Sequence, residues 1–215
     1  MKTDDLIQSL SADVPKVTPG AVGRRIALGL GLGGLGSGAV MLAWLGPRPD
    51  LAQAVMTPMF WMKFGYAALT GLILAVLLAR LARPGARLGA AIAALVATPF
   101  AVVVVMAALR LAQAPPETHQ AMLMGHTSMI CPWRIVAIGL PLLAGAVWAV
   151  RGLAPTRLGL AGLAAGGCAG ALGAMVYSIA CNETSAPFLA IWYTLGMALL
   201  AALGAASGSR LLRWR

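Results

Sequence analysis

Residues 131–181 read CPWRIVAIGLPLLAGAVWAVRGLAPTRLGLAGLAAGGCAGALGAMVYSIAC, two long apolar runs either side of Ala154-Pro155-Thr156-Arg157 with a cysteine at each outer end. A run of about 20 apolar residues is the length that crosses a bilayer as a helix. A Pro-containing break flanked by Arg151 and Arg157 is a turn where such a helix stops and another begins. The stretch therefore reads as a membrane hairpin. Its helices run over about Ile135–Leu153 and Leu158–Ala180.

The same test applied outward finds four more spans, near Ile26–Leu45, Phe60–Leu81, Leu88–Leu111 and Pro187–Ser207. Gly46-Pro47-Arg48-Pro49-Asp50, Arg83-Pro84-Gly85, Pro115-Pro116-Glu117 and Asn182-Glu183 supply the breaks between them. Composition agrees: 60% of residues are hydrophobic and 10% charged, and mean hydropathy is +0.86, against about a quarter charged in soluble domains. The expected fold is an all-α membrane protein, a six-transmembrane-helix bundle over residues 23–215, preceded by an amphipathic segment over residues 1–22. No secretory signal is expected, because Asp4, Asp5 and Asp13 fall ahead of the first apolar run.

Lysine and arginine set the orientation, since cytoplasmic loops carry their excess. Twelve of the sixteen fall on one side: Lys2, Lys16, Arg24, Arg25, Arg80, Arg83, Arg87, Arg151, Arg157, Arg210, Arg213 and Arg215. Arg48, Lys63, Arg110 and Arg134 fall on or near the other, with Asp50, Glu117 and Glu183. Both termini are expected to be cytoplasmic. The net charge of +10 is then an orientation signal, and no basic run interleaved with aromatics points to direct nucleic-acid binding.

The glycines Gly29, Gly31, Gly33 and Gly34 formally match a dinucleotide fingerprint, but no strand precedes them and the run is apolar. Close helix packing is the expectation, there and at Gly162, Gly166 and Gly170. Cys168, among glycines, is expected to be a small packing residue. Lys63 is read as an interfacial anchor whose stem snorkels outward, and Trp61, Trp133, Trp192 and Tyr193 as interfacial or packing aromatics.

Within the amino-terminal segment Asp4 and Asp5 suit a first helical turn. Leu6, Ile7, Leu10 and Val14 form an apolar stripe ended by Pro15. Such a stripe needs a bilayer surface, the bundle or a partner's groove to cover it.

Chemistry concentrates on the opposite side. Cys131 lies 23 residues before Ala154 and Cys181 lies 26 after Pro155, helical paths of about 35 and 39 Å, so the two thiols reach similar depth. Pro132 in a first turn would make Cys131 a helix cap at a positive dipole end near Arg134, whereas Cys181 would close the fifth helix beside Glu183. Cys131 is thus expected to react first and Cys181 to resolve it. His119, His126 and Glu183 lie on the same side and could join the thiols around a soft metal. A disulfide or inert thiols are the alternatives. No Cys-x-x-Cys and no catalytic constellation occurs, so no enzyme activity and no resident cofactor are expected.

Met1-Lys2-Thr3-Asp4-Asp5-Leu6-Ile7, Arg24-Arg25, Gly46-Pro47-Arg48-Pro49-Asp50-Leu51, Phe60-Trp61-Met62-Lys63-Phe64, Cys131-Pro132-Trp133, Ala154-Pro155-Thr156-Arg157, Cys181-Asn182-Glu183 and Ile191-Trp192-Tyr193 together resemble the NrsF-type membrane anti-sigma factors over nearly the whole chain. The resemblance implies a six-helix inner-membrane protein. It implies that the protein sequesters an extracytoplasmic-function, SigF-like sigma factor and releases it when heavy metals or oxidants act on two periplasmic cysteines. It carries the sensing role onto Cys131 and Cys181 and sigma binding onto Met1–Val17. A small transporter or channel is the alternative, disfavoured because Lys63 is nearly alone as an ionisable group within the spans.

Overall fold

The computed structural model describes residues 3–12, 20–86, 89–153 and 155–213. Expectations at Met1, Lys2, Asp13, Val14, Pro15, Lys16, Val17, Arg87, Leu88, Ala154 and Arg215 lie outside the described residues, as does the side chain of Leu10. Among the described residues the regular elements are all helices: α1 Thr3–Ala12, α2 Ala21–Trp44, α3 Leu51–Ala54, α4 Pro58–Leu81, α5 Ala90–Gln113, α6 Pro116–Met124, α7 Cys131–Arg151, α8 Leu158–Tyr177 and α9 Ala186–Leu211. Six of these, α2, α4, α5, α7, α8 and α9, are long and apolar enough to cross a membrane. They coincide with the six runs read from hydropathy to within a few residues. Two of the breaks carry short helices of their own, α3 and α6.

The bundle is organised around α8, which packs against α9, α7 and α4, while α2 lies along α7. Of its most apolar stretch 67% is buried, against 17% for α5 at the periphery. The reason is its composition. Between helices in lipid there is little hydrophobic force, so association depends on close backbone approach at small residues. A Cβ added at Gly162 would collide with the carbonyl oxygen of Gly204, and one at Gly166 with that of Leu200. Gly139 meets Ala169, Gly173 meets Gly139, and Gly29 meets Gly145, so the α7/α8 and α2/α7 seams are built the same way. Cys168 is fully buried and its thiol donates to the Gly71 carbonyl at 3.5 Å, a packing role.

Two apolar clusters divide the core along the bundle axis. Ile26, Leu81, Val150, Ala161 and Leu212 belong to the one at the α7–α8 turn. There the Arg25 Nε–H donates to the Ala149 carbonyl at 2.9 Å and the guanidinium lies 5.1 Å from the centre of the Trp148 ring, tying the start of α2 to the end of α7. Cys131, Ile135, Tyr177, Cys181 and Tyr193 belong to the other. α5 presents Val102, Val105 and Leu109 outward, as a lipid-facing helix does. In α1, Asp4 and Asp5 occupy the first turn, and Leu6 and Ile7 are exposed.

Substituting Gly162→Leu should force α8 and α9 apart and lower stability by about 1–3 kcal/mol, read as a fall in the unfolding midpoint in detergent. Gly31→Ala, at a position with open space around it, should leave the midpoint unchanged or slightly raised.

Candidate sensory site at the cysteine end

The end of α8 creates the local problem that the site solves. The helix stops at Tyr177, and residues 178–180 continue as a turn before Cys181, so Cys181 does not close the helix as expected but follows it. The last carbonyls of any helix lack intrahelical donors. Here the backbone N–H groups of residues 178–181 supply them, and the carbonyls of the loop beyond, which have no helix of their own, take their donors from cations. The Lys63 ammonium donates to the carbonyl oxygens of Cys181 at 2.9 Å and Glu183 at 2.7 Å. The Arg48 guanidinium donates to the Cys181 carbonyl at 3.1 Å, and the Arg48 backbone N–H to Ile179 at 3.2 Å.

Lys63 therefore corrects its sequence reading. It is 2% exposed and turns inward, because unpaired carbonyls in a dry bundle are stronger acceptors than a distant interface offers. Arg48 is oriented from behind by Asp50, through Nε to Oδ1 at 2.7 Å and a second bond to Oδ2 at 2.6 Å. These hydrogen bonds hold the Asp50 carboxyl below the usual carboxylate range and raise the Arg48 guanidinium further.

Glu183 joins this loop to the other cysteine. Its Oε1 accepts from the His126 N–H at 2.8 Å, the Thr127 N–H at 2.9 Å and the Thr127 hydroxyl at 2.9 Å. The Thr127 carbonyl in turn accepts from the Cys131 N–H at 2.8 Å. Gly125, at φ +53°, lets the turn pass over the carboxylate; a Cβ there would strike Glu183 and Phe188. Two further bonds hold α6 to α9: Trp192 Nε1–H to the Leu123 carbonyl at 2.8 Å, and the Ser185 hydroxyl to Met122 at 2.6 Å. A π-helical turn over Leu189–Tyr193 presents Trp192 to α6 and Tyr193 to the interior.

The thiols lie beneath this cover. Cys131 is 0% and Cys181 2% exposed, both are unbridged, and both belong to one cluster with Tyr177 and Tyr193. Cys131 is the first residue of α7, capped by Ile130, so it is one position further into the helix than expected. The sequence argument for Cys131 reacting first rested on its place at a positive helix end near Arg134; exposure does not separate the two thiols. Tyr177 faces Cys131 and Arg134, Tyr193 faces Cys181, and the rings lie 5.9 Å apart.

The five-residue metal set does not assemble. Among the described residues no three His, Cys, Asp or Glu side chains meet as a metal group. His119 Nε2–H is directed to the carbonyls of Leu111 at 2.9 Å and Ala114 at 3.1 Å, and His126 contributes its backbone. Sequence reasoning missed Arg48, Thr127, Tyr177 and the inward role of Lys63. A lysine inside an apolar run was the available signal for the last.

Polar and thioether-lined hollows flank the residues that follow Cys181. One of about 220 Å³ is lined by Arg48, Asp50, Thr57, Lys63 and Thr184. The other, about 340 Å³, is lined by Met59, Met62, Arg110, Met122 and Ser185. Replacing Lys63→Met should free the Cys181 and Glu183 carbonyls and raise the maleimide labelling rate of Cys181 by about tenfold or more, the loss of two charge-assisted bonds at about 1.5 kcal/mol or more each. Labelling no faster than in the parent would show that Lys63 does not hold the cover.

The NrsF family, described as negative regulator of sigma F, matches residues 10–214. The anti-sigma-F factor NrsF of Caulobacter vibrioides is 44% identical over 218 residues, covering all of both chains. A protein of Azospira oryzae named as a probable anti-sigma-F factor NrsF is 41% identical over 216 residues with the same full coverage. No solved structure matches the chain. Matched from end to end by both relatives, with six apolar helices and Cys131 and Cys181 gathered in one cluster, the chain belongs to the NrsF family of negative regulators of sigma F.

Proposed function

We propose that this protein is an anti-sigma factor of the inner membrane, with both termini in the cytoplasm. It binds an extracytoplasmic-function sigma factor of the SigF type through α1, and it releases that factor when oxidants or soft metals act on Cys131 and Cys181. The observation that carries the reading is the gathering of two thiols fifty positions apart in one buried cluster, beneath a loop fastened to α4 and to the turn before Cys131. A buried thiol reacts only when its cover opens. Reaction at the pair is then coupled to breaking the bonds of Lys63, Arg48 and Glu183, which makes the covered and uncovered arrangements the two states that signalling needs.

The Lys and Arg bias supports the orientation; in that orientation the cysteine end lies in the periplasm, where thiol oxidation is favoured. It also puts α1 beside the cytoplasmic transcription machinery. The exposed Leu6 and Ile7 are of the kind that an amphipathic helix lays into a partner's groove. Coupling between the two ends of the magnitude usual for allostery, about 1–3 kcal/mol, corresponds to a change in sigma affinity of about 5- to 150-fold.

The Cys131→Ser, Cys181→Ser double variant should keep a sigma-dependent reporter silent under oxidant and metal stress while the parent induces it; normal induction in the variant would overturn the sensing role. In the full-length protein, Leu6→Glu with Ile7→Glu should weaken co-purification of the sigma factor at least about tenfold, the loss of two buried apolar side chains. Unchanged co-purification would move the binding surface elsewhere.

A further inference from the structure

Two cations converge on one atom beside the cysteine cluster. The Lys63 ammonium and the Arg48 guanidinium both donate to the Cys181 carbonyl oxygen, at 2.9 and 3.1 Å. Lys63 is 2% exposed and the Arg48 side chain 8%, so both charges are largely out of water, where a charge is costly unless it is paired. Both side chains line the hollow of about 220 Å³, together with Asp50, Gln53, Thr57 and Thr184. Asp50, already bonded to Arg48, is the one carboxylate among these, and the carboxylate of Glu183 is committed to the turn at His126 and Thr127. The lining therefore keeps one positive charge in excess.

The same cations hold donors in reserve. An ammonium has three N–H groups and a guanidinium five. Lys63 places two of its own on acceptors, and Arg48 three, among the described residues. The side chains of Gln53 and Thr184 enter no hydrogen bond among those residues either, and both residues are exposed. Since a water occupies about 30 Å³, the hollow has room for a tetrahedral oxyanion and a few waters. It opens about 8 Å along α4 from Pro58, in the turn of the exposed Trp61, the level at which lipid headgroups meet a span.

We propose that this hollow is an oxyanion site that takes a phosphate group, with Lys63 and Arg48 as its cationic partners and Gln53 and Thr184 as neutral donors. Hydrogen bonds between ions are the strong ones, and a guanidinium presents paired N–H groups that fit a phosphate. The anion uses the spare donors and leaves the bonds to the Cys181 and Glu183 carbonyls in place. Those bonds are what bring Lys63 and Arg48 together, so an occupant binds the covered arrangement and holds it closed. Inorganic phosphate and the headgroup of a phospholipid carry the same group. The inference is independent of what Cys131 and Cys181 sense.

The test uses the full-length protein carrying Cys131→Ser and Cys168→Ala, so that Cys181 alone labels, in a phosphate-free neutral detergent at constant ionic strength set by chloride. Inorganic phosphate and dihexanoyl phosphatidylglycerol are the probes, and the unfolding midpoint and the maleimide labelling rate of Cys181 are the readouts. A probe that occupies the hollow should raise the midpoint. At ten times its half-saturating concentration it should slow labelling about tenfold, the mass-action factor for a ligand of the closed state alone. A response to inorganic phosphate identifies a free ion, and a response to the lipid alone identifies a headgroup. Gln53→Glu leaves the bonds of Lys63 and Arg48 intact and brings a like charge to the anion, so half-saturation should need at least about tenfold more probe. Thr184→Asp makes the same test if Gln53→Glu folds poorly. The general stabilisation that excluded salts give to any fold would act on these variants as on the parent. No response to either probe, or an undiminished response in a folded carboxylate variant, overturns the inference.

Discussion

An ammonium group inside an apolar bundle must find acceptors, and Lys63 finds them on the Cys181 and Glu183 carbonyls of the loop that follows α8. The arrangement satisfies both sides at once. The loop carbonyls need donors and the buried lysine needs acceptors. Arg48, held by Asp50, adds a second cation to the same Cys181 carbonyl. Everything else at the cysteine end follows from that fastening: the loop after Cys181 is placed, Glu183 is carried to the turn before Cys131, and the thiols are covered. The carboxylate of Glu183 is free to hold backbone N–H groups because Lys63 binds its carbonyl and not its side chain.

Small residues carry that local order along the membrane. Gly139 and Gly173 at the α7/α8 seam, and Gly162, Gly166 and Gly204 at the α8/α9 seam, bring backbones into contact. Where backbone meets backbone, few rotamer changes are available to absorb a shift of one helix against the next. The Arg25 contact with Ala149 and Trp148 continues the linkage to the start of α2, a short distance in sequence from α1.

The six spans were legible because a bilayer imposes one length and one polarity on every crossing, and the glycine seams because only small residues permit such approach. The shared depth of Cys131 and Cys181 followed from counting along a hairpin. What lay beyond the sequence was lateral. Lys63 was read as snorkelling outward because its partners are carbonyls more than a hundred positions away, which carry no residue signature. Glu183 grips the backbone of His126 and Thr127, again invisible to side-chain reasoning, and His119 is turned to the α5–α6 corner by carbonyls of its own. Tyr177 and Tyr193 face the thiols through the register of α7 against α8 and through a π-turn that no periodicity announces.

The hollows on either side of residues 182–185 give that segment a particular mechanical character. A loop buried in close packing yields gradually, one contact at a time. One suspended between open spaces is held by a few strong polar attachments, so little resists it once these are cut and nothing returns it until they form again. Such a fastening behaves as a threshold, closed under small perturbations and fully open past a limit.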